Sequence, residues 1–165
     1  MPAKQKTLED LFLLTLKDVL YAEKQILRNL PKMAKAVESD ELRQAFEQHC
    51  TETDGQIQRL EQIFEQMGKR ASGKTCESIQ GLVAEGQEIM EEFSDSDALD
   101  AGVLAAAQAI EHYEISRYGT LKQWALQLGM KDAVRLLDQT LQEERKTDEA
   151  LTSLAEAAVN LEAAA

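Results

Sequence analysis

Apolar residues recur at intervals of three and four positions through most of this chain of 165 residues. That interval places them along one side of an α-helix. A half-buried strand would instead need alternating apolar and polar residues, and no segment of the sequence shows that alternation. Only two prolines and eight glycines interrupt the pattern, and both residue types disfavour helix interiors. The sequence therefore predicts an all-α fold.

The apolar pattern divides the chain into four long helices and one long connection. The predicted helices cover residues 7–37, 41–67, 99–128 and 131–158. The connection, residues 68–99, carries a shorter amphipathic helix, and Pro31 predicts a kink or a short break in the first long helix. Two tightly joined helix pairs with one long crossover are typical of a ferritin-like four-helix bundle. We expect residues 1–165 to form one such domain.

The charge of the chain excludes some classes of partner. The formal net charge is -12, which would repel a phosphate backbone, and no basic cluster offsets it, so nucleic acid is not expected as a partner. The start, from Met1 to Lys6, leads into an amphipathic segment rather than a long apolar one, so we expect no signal peptide and no membrane span. We therefore expect a cytoplasmic protein, in which Cys50 and Cys76 are reduced thiols.

Polar residues interrupt the apolar side of every long helix near its centre. In chain order they are Glu23; His49, Glu52 and Gln56; Glu111 and Glu114; and Glu144 and Asp148. Several carboxylates buried together repel one another unless cations neutralise them. Four-helix bundles hold two iron or manganese ions with acids from all four helices. The pattern predicts two Fe or Mn ions, with ligands Glu23, Glu52, Glu111, Glu114 and Glu144.

Other residues near these acids are predicted to have supporting roles. His49 could be a metal ligand, a residue that orients Glu52, or a buried histidine bonded to a backbone carbonyl, and we favour the second role. Gln56 and Asp148 are predicted to support the ligands from outside. Tyr118 lies one turn beyond Glu114 and is predicted to be a catalytic hydrogen-bond donor. His112 falls on the opposite side of its helix, which predicts a surface or interface residue.

Local motifs around the acids are similar to those of a known family. They are Tyr21-Ala22-Glu23-Lys24-Gln25, His49 with Glu52-Thr53 and Gly55-Gln56-Ile57, Glu111-His112-Tyr113-Glu114 with Tyr118-Gly119-Thr120, and Glu143-Glu144 with Thr147-Asp148. Over nearly its whole length the chain resembles the YciF-like bacterial stress proteins of the ferritin-like superfamily. The resemblance implies defence against peroxide or iron stress. The five predicted ligands match the di-iron rubrerythrin pattern, but Gly55 and Thr147 occupy the positions of its two histidines.

Two classes of function follow from these observations. The first is a dinuclear metal enzyme of the peroxidase, catalase or ferroxidase type, in which peroxide or dioxygen is the small oxidant. The second is a metal-free helical interaction protein, with the crossover helix from Ile79 to Met90 as its docking surface. We expect a homodimer in either case. Iron storage in a hollow shell is the least favoured, because nothing in the sequence indicates the contacts of a cage.

Overall fold

The computed structural model describes residues 5–165, which form helices and connecting turns. The helices are α1 (Leu8–Ala36), α2 (Asp40–Gln66), α3 (Glu77–Glu92), α4 (Leu99–Gln127) and α5 (Lys131–Leu154), followed by a π-helical turn (Ala155–Val159) and α6 (Asn160–Ala163). No strand occurs within residues 5–165, so the predicted all-α class is confirmed. The sequence predicts no signal peptide at the start of the chain, and residues 1–4 of that start lie outside the part that the structure describes. None of the described helices could span a membrane, given their lengths and apolar character.

The four long helices pack as a bundle with α3 along its side. α1 packs on α2 and α4 packs on α5, while α2 with α5 and α1 with α4 join the two pairs. Gly68 and Gly129 follow the ends of α2 and α4 and have φ angles of 63° and 72°. Only glycine adopts this left-handed conformation without steric cost, so it ends a helix readily. The long connection then brings α3 against α1 and α4.

Two features of the helices differ from the sequence expectations. α1 runs from Leu8 to Ala36 with Pro31 inside it, so the predicted break is absent. Proline removes one helical hydrogen bond, but Leu30 and Met33 on either side remain buried in the core, and this packing favours a continuous helix. The crossover helix also turns inward, because Ile79 is fully buried and most of its other apolar residues pack on the core. α3 therefore offers little apolar surface for docking.

The apolar core consists of two clusters at different heights of the bundle. One contains residues such as Ile26, Phe46 and Leu104. The other contains residues such as Phe12 and Leu60. Along each long helix, buried polar residues lie between the parts that contribute to the two clusters. We call these residues the polar layer: Glu23 from α1, His49, Thr53 and Gln56 from α2, Glu111 and Glu114 from α4, and Glu144 from α5.

Candidate metal centre

The side chains of the polar layer are shielded from solvent. Each of its seven residues is at most 2% exposed. Their spacing on the helices explains the convergence, since residues three or four apart lie on one helix face. Glu111 and Glu114 therefore share the inner face of α4, and His49, Thr53 and Gln56 share that of α2. The layer brings together four of the five predicted ligands.

Four members of the layer form a compact group of metal-ligand type. One ligand atom each from His49, Glu111, Glu114 and Glu144 can be chosen so that all four lie within 4.8 Å of one another. Nε2 of His49 lies 3.0 Å from Oε1 of Glu111 and 4.0 Å from Oε2 of Glu144. Nε2 of His49 is therefore close enough to both carboxylates for an ion pair, but it is not aligned for a hydrogen bond with either of them. We call this set the four-donor group.

Many polar atoms of the layer lack a hydrogen-bond partner. Both ring nitrogens of His49, both carboxylate oxygens of Glu114 and one oxygen each of Glu23, Gln56, Glu111 and Glu144 are buried in this state. Buried polar atoms are paired in most proteins, and leaving one unpaired costs on the order of 1–3 kcal/mol. These atoms are oxygens and imidazole nitrogens, and both kinds of atom are ligands for Fe and Mn. The residues present therefore fit a bound divalent cation.

The electrostatics of the layer favour protons or a cation. Burial, together with the charges of neighbouring acids, raises the pKa values of Glu114 and Glu144 well above the ordinary value. The pKa of His49 is also raised well above its ordinary value, because the nearby acids, with Glu111 the strongest, outweigh the opposing effect of burial. Without a metal, the layer therefore retains protons that a solvent-exposed group of acids would release.

Glu23 and Tyr118 form a buried pair at one side of the four-donor group. The Tyr118 hydroxyl donates a hydrogen bond to Oε1 of Glu23. Burial raises the pKa of Glu23 to about 7, although the bond from Tyr118 opposes the change. Burial, followed by the charge of Glu23, raises the pKa of Tyr118 well above its ordinary value. The structure thus places Tyr118 beside a predicted ligand, as a hydrogen-bond donor.

Glu52, the fifth predicted ligand, lies at the edge of the polar layer. Its side chain is 25% exposed, and Oε2 lies 3.6 Å from Nδ1 of His49. Gln48 donates a hydrogen bond of 3.0 Å to its other oxygen. The contact between Glu52 and His49 is the main cause that lowers the pKa of Glu52. The inward position belongs to the next residue, Thr53, whose hydroxyl donates to the carbonyl oxygen of His49 over 2.8 Å.

The two predicted supporting residues have different surroundings. The Gln56 amide donates hydrogen bonds to Oε1 of Glu144 and, at 3.3 Å, to Oε2 of Glu143. Gln56 therefore contacts the four-donor group directly. Asp148 instead lies 3.0 Å from Nε2 of the exposed His112, outside the polar layer. His112 is on the surface, where its helix position predicts it.

Arg59 is a residue near the site that the sequence did not single out. Its guanidinium donates hydrogen bonds to Glu143 and, over 3.0 Å, to the hydroxyl of Thr140. Glu143 in turn accepts from Gln56, so Arg59 supports the layer from outside. An arginine next to an acidic stripe is common on helix surfaces, so the sequence carries no distinctive signal for this role.

Comparison with known proteins assigns the chain to a family. Residues 7–164 match the family model described as a domain of unknown function, DUF892. The chain is also 44% identical to protein YciF of Escherichia coli strain K12 over 159 residues, which is 96% of each protein. The chain belongs to the YciF-like DUF892 family. The resemblance to the YciF-like proteins that the local motifs indicated is therefore confirmed.

Solved structures of YciF-like proteins have the same fold as this chain. The crystal structure of the Escherichia coli stress protein YciF matches with a TM-score of 0.90, covering 94% of this chain and 99% of that one. YcfI from Rhodopseudomonas palustris matches with a TM-score of 0.88, covering 93% of this chain and 98% of that one. Both are 44% identical to this chain. These matches confirm the helical-bundle architecture of the YciF-like chain.

Proposed function

We propose that this YciF-like protein binds Fe or Mn in its polar layer as a ferritin-like carboxylate protein. Its role would be defence against oxidative or iron stress, by reducing peroxide or dioxygen or by oxidising the metal. The observation that carries the proposal is the four-donor group, in which most of the buried ligand atoms lack hydrogen-bond partners. The relative from Escherichia coli, which is called a stress protein, supports the physiological setting.

The four-donor group supplies enough ligands for one ion. His49, Glu111, Glu114 and Glu144 would hold it, and the bound ion would supply the redox chemistry that no side chain of the layer provides. A second ion, as the sequence predicts, would need Glu23, and Glu52 would have to turn inward from the edge. The number of ions therefore stays a prediction, which elemental analysis of the purified protein measures directly.

The residues around the donors have roles of their own in this function. Glu23 has a pKa of about 7, so it can take up and release a proton near neutral pH, as an acid–base group should. Tyr118 holds the Glu23 carboxyl in place through its hydrogen bond and remains protonated. Reduction of peroxide consumes protons, and the Glu23 carboxyl is one of the buried groups that could supply them. The apolar clusters above and below the layer exclude bulk water.

Thermal unfolding with and without metal tests the proposal. Metal-free wild-type protein should gain stability when Mn(II) or anaerobic Fe(II) is added, and a free concentration 100 times Kd corresponds to about 2.7 kcal/mol. Glu144→Gln removes a charged ligand from the four-donor group and should abolish most of the stability gained on adding metal. Glu149→Gln makes the same chemical change at an exposed position of α5 and should leave it intact. Wild-type protein that neither binds metal nor changes its melting would contradict the proposal.

A further inference from the structure

Two small cavities adjoin in the bundle, an inner one between α1, α2 and α4 and an outer one between α1, α3 and α4. The inner cavity reaches His49 and Glu111 of the four-donor group. The outer cavity lies beneath α3 and touches Gly86 and Gln87. Both cavities have Asn29, Met33 and Ile110 among their lining residues. They therefore lie side by side, in line from the crossover helix to the polar layer.

The size of the cavities limits what could occupy them. Each leaves about 10 Å³ for the centre of a water-sized molecule, which is close to the room that one water needs. A substrate with more than two or three heavy atoms would not fit without movement of the helices. The cavities therefore suit a molecule of about the size of water, and dioxygen or hydrogen peroxide could pass as the lining side chains move aside.

The walls of the cavities favour an uncharged molecule. Ile26, Leu30 and Ala107 form much of the inner wall, and Leu82 and Val83 contribute to the outer one. A charged species would lose its hydration along the apolar part of the path, before it reached His49 and Glu111, at a cost of several kcal/mol or more. A cation would therefore need another route to the layer, whereas a neutral oxidant could pass.

One polar pair lies where the two cavities meet. Nδ2 of Asn29 donates to the carbonyl oxygen of Gln25 over 2.8 Å, which fixes the amide within α1. Nε2 of Gln87, from α3, donates to Oδ1 of Asn29 over 3.2 Å. Asn29 is only 7% exposed, whereas Gln87 is half-buried. The hydrogen bond between them links α3 to α1 beside the junction of the two cavities.

We propose that these cavities form the access path by which a small neutral oxidant, dioxygen or hydrogen peroxide, reaches the His49 and Glu111 side of the polar layer. The crossover helix α3 covers this path, and the hydrogen-bonded pair of Asn29 and Gln87 lies beside the junction of its two cavities. The use of the path by an oxidant rests on the proposed function. The path itself is a property of the metal-free protein, so it can be tested separately.

The first test uses dissolved dioxygen as a paramagnetic probe of the metal-free wild-type protein. Methyl relaxation in NMR should increase more for Ile26, Leu30 and Ile110, which line the cavities, than for Leu20 and Leu121. The latter are at least as deeply buried but belong to the other cluster. Equal relaxation enhancement in the two sets of methyl groups would overturn the proposal that the cavities form an access path. This measurement requires neither a metal nor a variant.

The second test narrows the path with Ala106→Leu. Ala106 lines the outer cavity, and its neighbour Ala105 is exposed on α4, so Ala105→Leu is the matched control. Ala106→Leu should reduce the dioxygen effect at Ile26 and Leu30. It should also slow oxidation of protein-bound Fe(II) by roughly tenfold, with the amount of bound iron unchanged. Ala105→Leu should change neither quantity.

The outcomes separate the path from the metal function. Dioxygen and hydrogen peroxide are added in separate experiments, and the oxidant whose reaction Ala106→Leu slows is the one that uses this route. Wild-type rates with both oxidants in Ala106→Leu, at full iron loading, would overturn the path and leave the proposed function standing. Failure of the wild-type protein to bind iron would contradict the proposed function, while the NMR comparison would still decide on the path.

Discussion

Glu23 shows at the scale of one residue how the fold changes side-chain chemistry. It is fully buried in α1 and has one hydrogen-bonded oxygen, which faces Tyr118, and one oxygen without a partner. Burial is the main cause that raises its pKa from 4.5 to about 7. The folded protein therefore binds this proton more tightly than the unfolded chain does. Stability from this source is complete below about pH 4.5 and is lost as the pH rises through about 7.

Glu23→Gln should consequently stabilise the metal-free protein in a pH-dependent way. The amide resembles the protonated carboxyl and can still accept the hydrogen bond from Tyr118. At pH 8 the variant should gain up to about 3 kcal/mol over the wild type, following 1.36 kcal/mol for each pKa unit. The gain should shrink towards zero near pH 4.5. Urea denaturation in the presence of a chelator, repeated from pH 5 to pH 8, measures the difference.

A matched variant separates this effect from a general change of net charge. Glu65→Gln removes one negative charge from an exposed position of α2, and its effect should vary little over the same pH range. A gain in Glu23→Gln that is the same at pH 5 and pH 8 would show that burial of the charged carboxyl is not its cause.

The same scale shows what the sequence could not decide about the site. Stepping along the second helix from Phe46 and His49, the next inward position can be Glu52 or Thr53, because a period of 3.6 lies between three and four. An acid was the natural expectation for a metal site, yet Thr53 is fully buried and Glu52 lies at the edge. Glu23 and Glu144 were less ambiguous, because apolar residues frame each of them on both sides. The sequence pattern predicts that the polar layer is buried, but packing decides which residue of α2, Glu52 or Thr53, points inward.

At the scale of helices, two glycines of α4 have contrasting surroundings. A Cβ atom on Gly102 would lie 2.7 Å from Cγ2 of Ile89 in α3, whereas one on Gly119 would meet nothing within 4 Å. Ile89 is branched at Cβ and partly buried against the core, so it has little freedom to move away. Gly102 is thus a position where α3 lies too close to α4 for a side chain to fit without movement of Ile89.

Alanine substitutions at these glycines should therefore have opposite effects. Gly119→Ala should raise the free energy of unfolding by up to about 1 kcal/mol, because alanine is the better helix former. Gly102→Ala should lower it, since the contact with Ile89 outweighs the same gain. Urea denaturation of both variants measures the difference. Equal stabilisation by both would mean that α3 is not held closely against α4.

The elements themselves were largely predictable, for reasons that their residues make plain. Thr7 and Asp10 form reciprocal hydrogen bonds at the start of α1, and Gly68 and Gly129 end α2 and α4, so local chemistry marks these boundaries. Pro31 was misleading, because the packing on either side of it outweighs its local preference. The inward orientation of α3 was also missed, since an amphipathic helix in isolation gives no sign of what covers its apolar face.

At the scale of the whole molecule, the polar layer interrupts an otherwise apolar interior. The two clusters above and below it consist of buried apolar residues, but the layer between them contains unpaired buried polar atoms. Contacts across the layer therefore contribute less to stability than contacts within either cluster. Regions joined by weak contacts open separately at lower free energies than the whole molecule.

Native-state hydrogen exchange should reveal this division. In the metal-free protein, amides near Leu104 and amides near Leu60 should exchange with different free energies of opening. Addition of Mn(II) should bring the two values together, because an ion bound in the layer joins its helices. Glu144→Gln should keep them apart even with metal present. Identical values for the two regions in the metal-free protein would show that the layer does not weaken their connection.

The arrangement of the polar layer also has a consequence for the lifetime of the protein. His49, Glu111 and Glu144 come from three helices that are distant in sequence, so an ion held among them acts as a reversible cross-link that closes long loops of chain. Its loss would free the two ends of the bundle to open one at a time and would expose cleavable backbone. Proteolytic turnover would then follow the supply of metal, and copies without the ion would be degraded first.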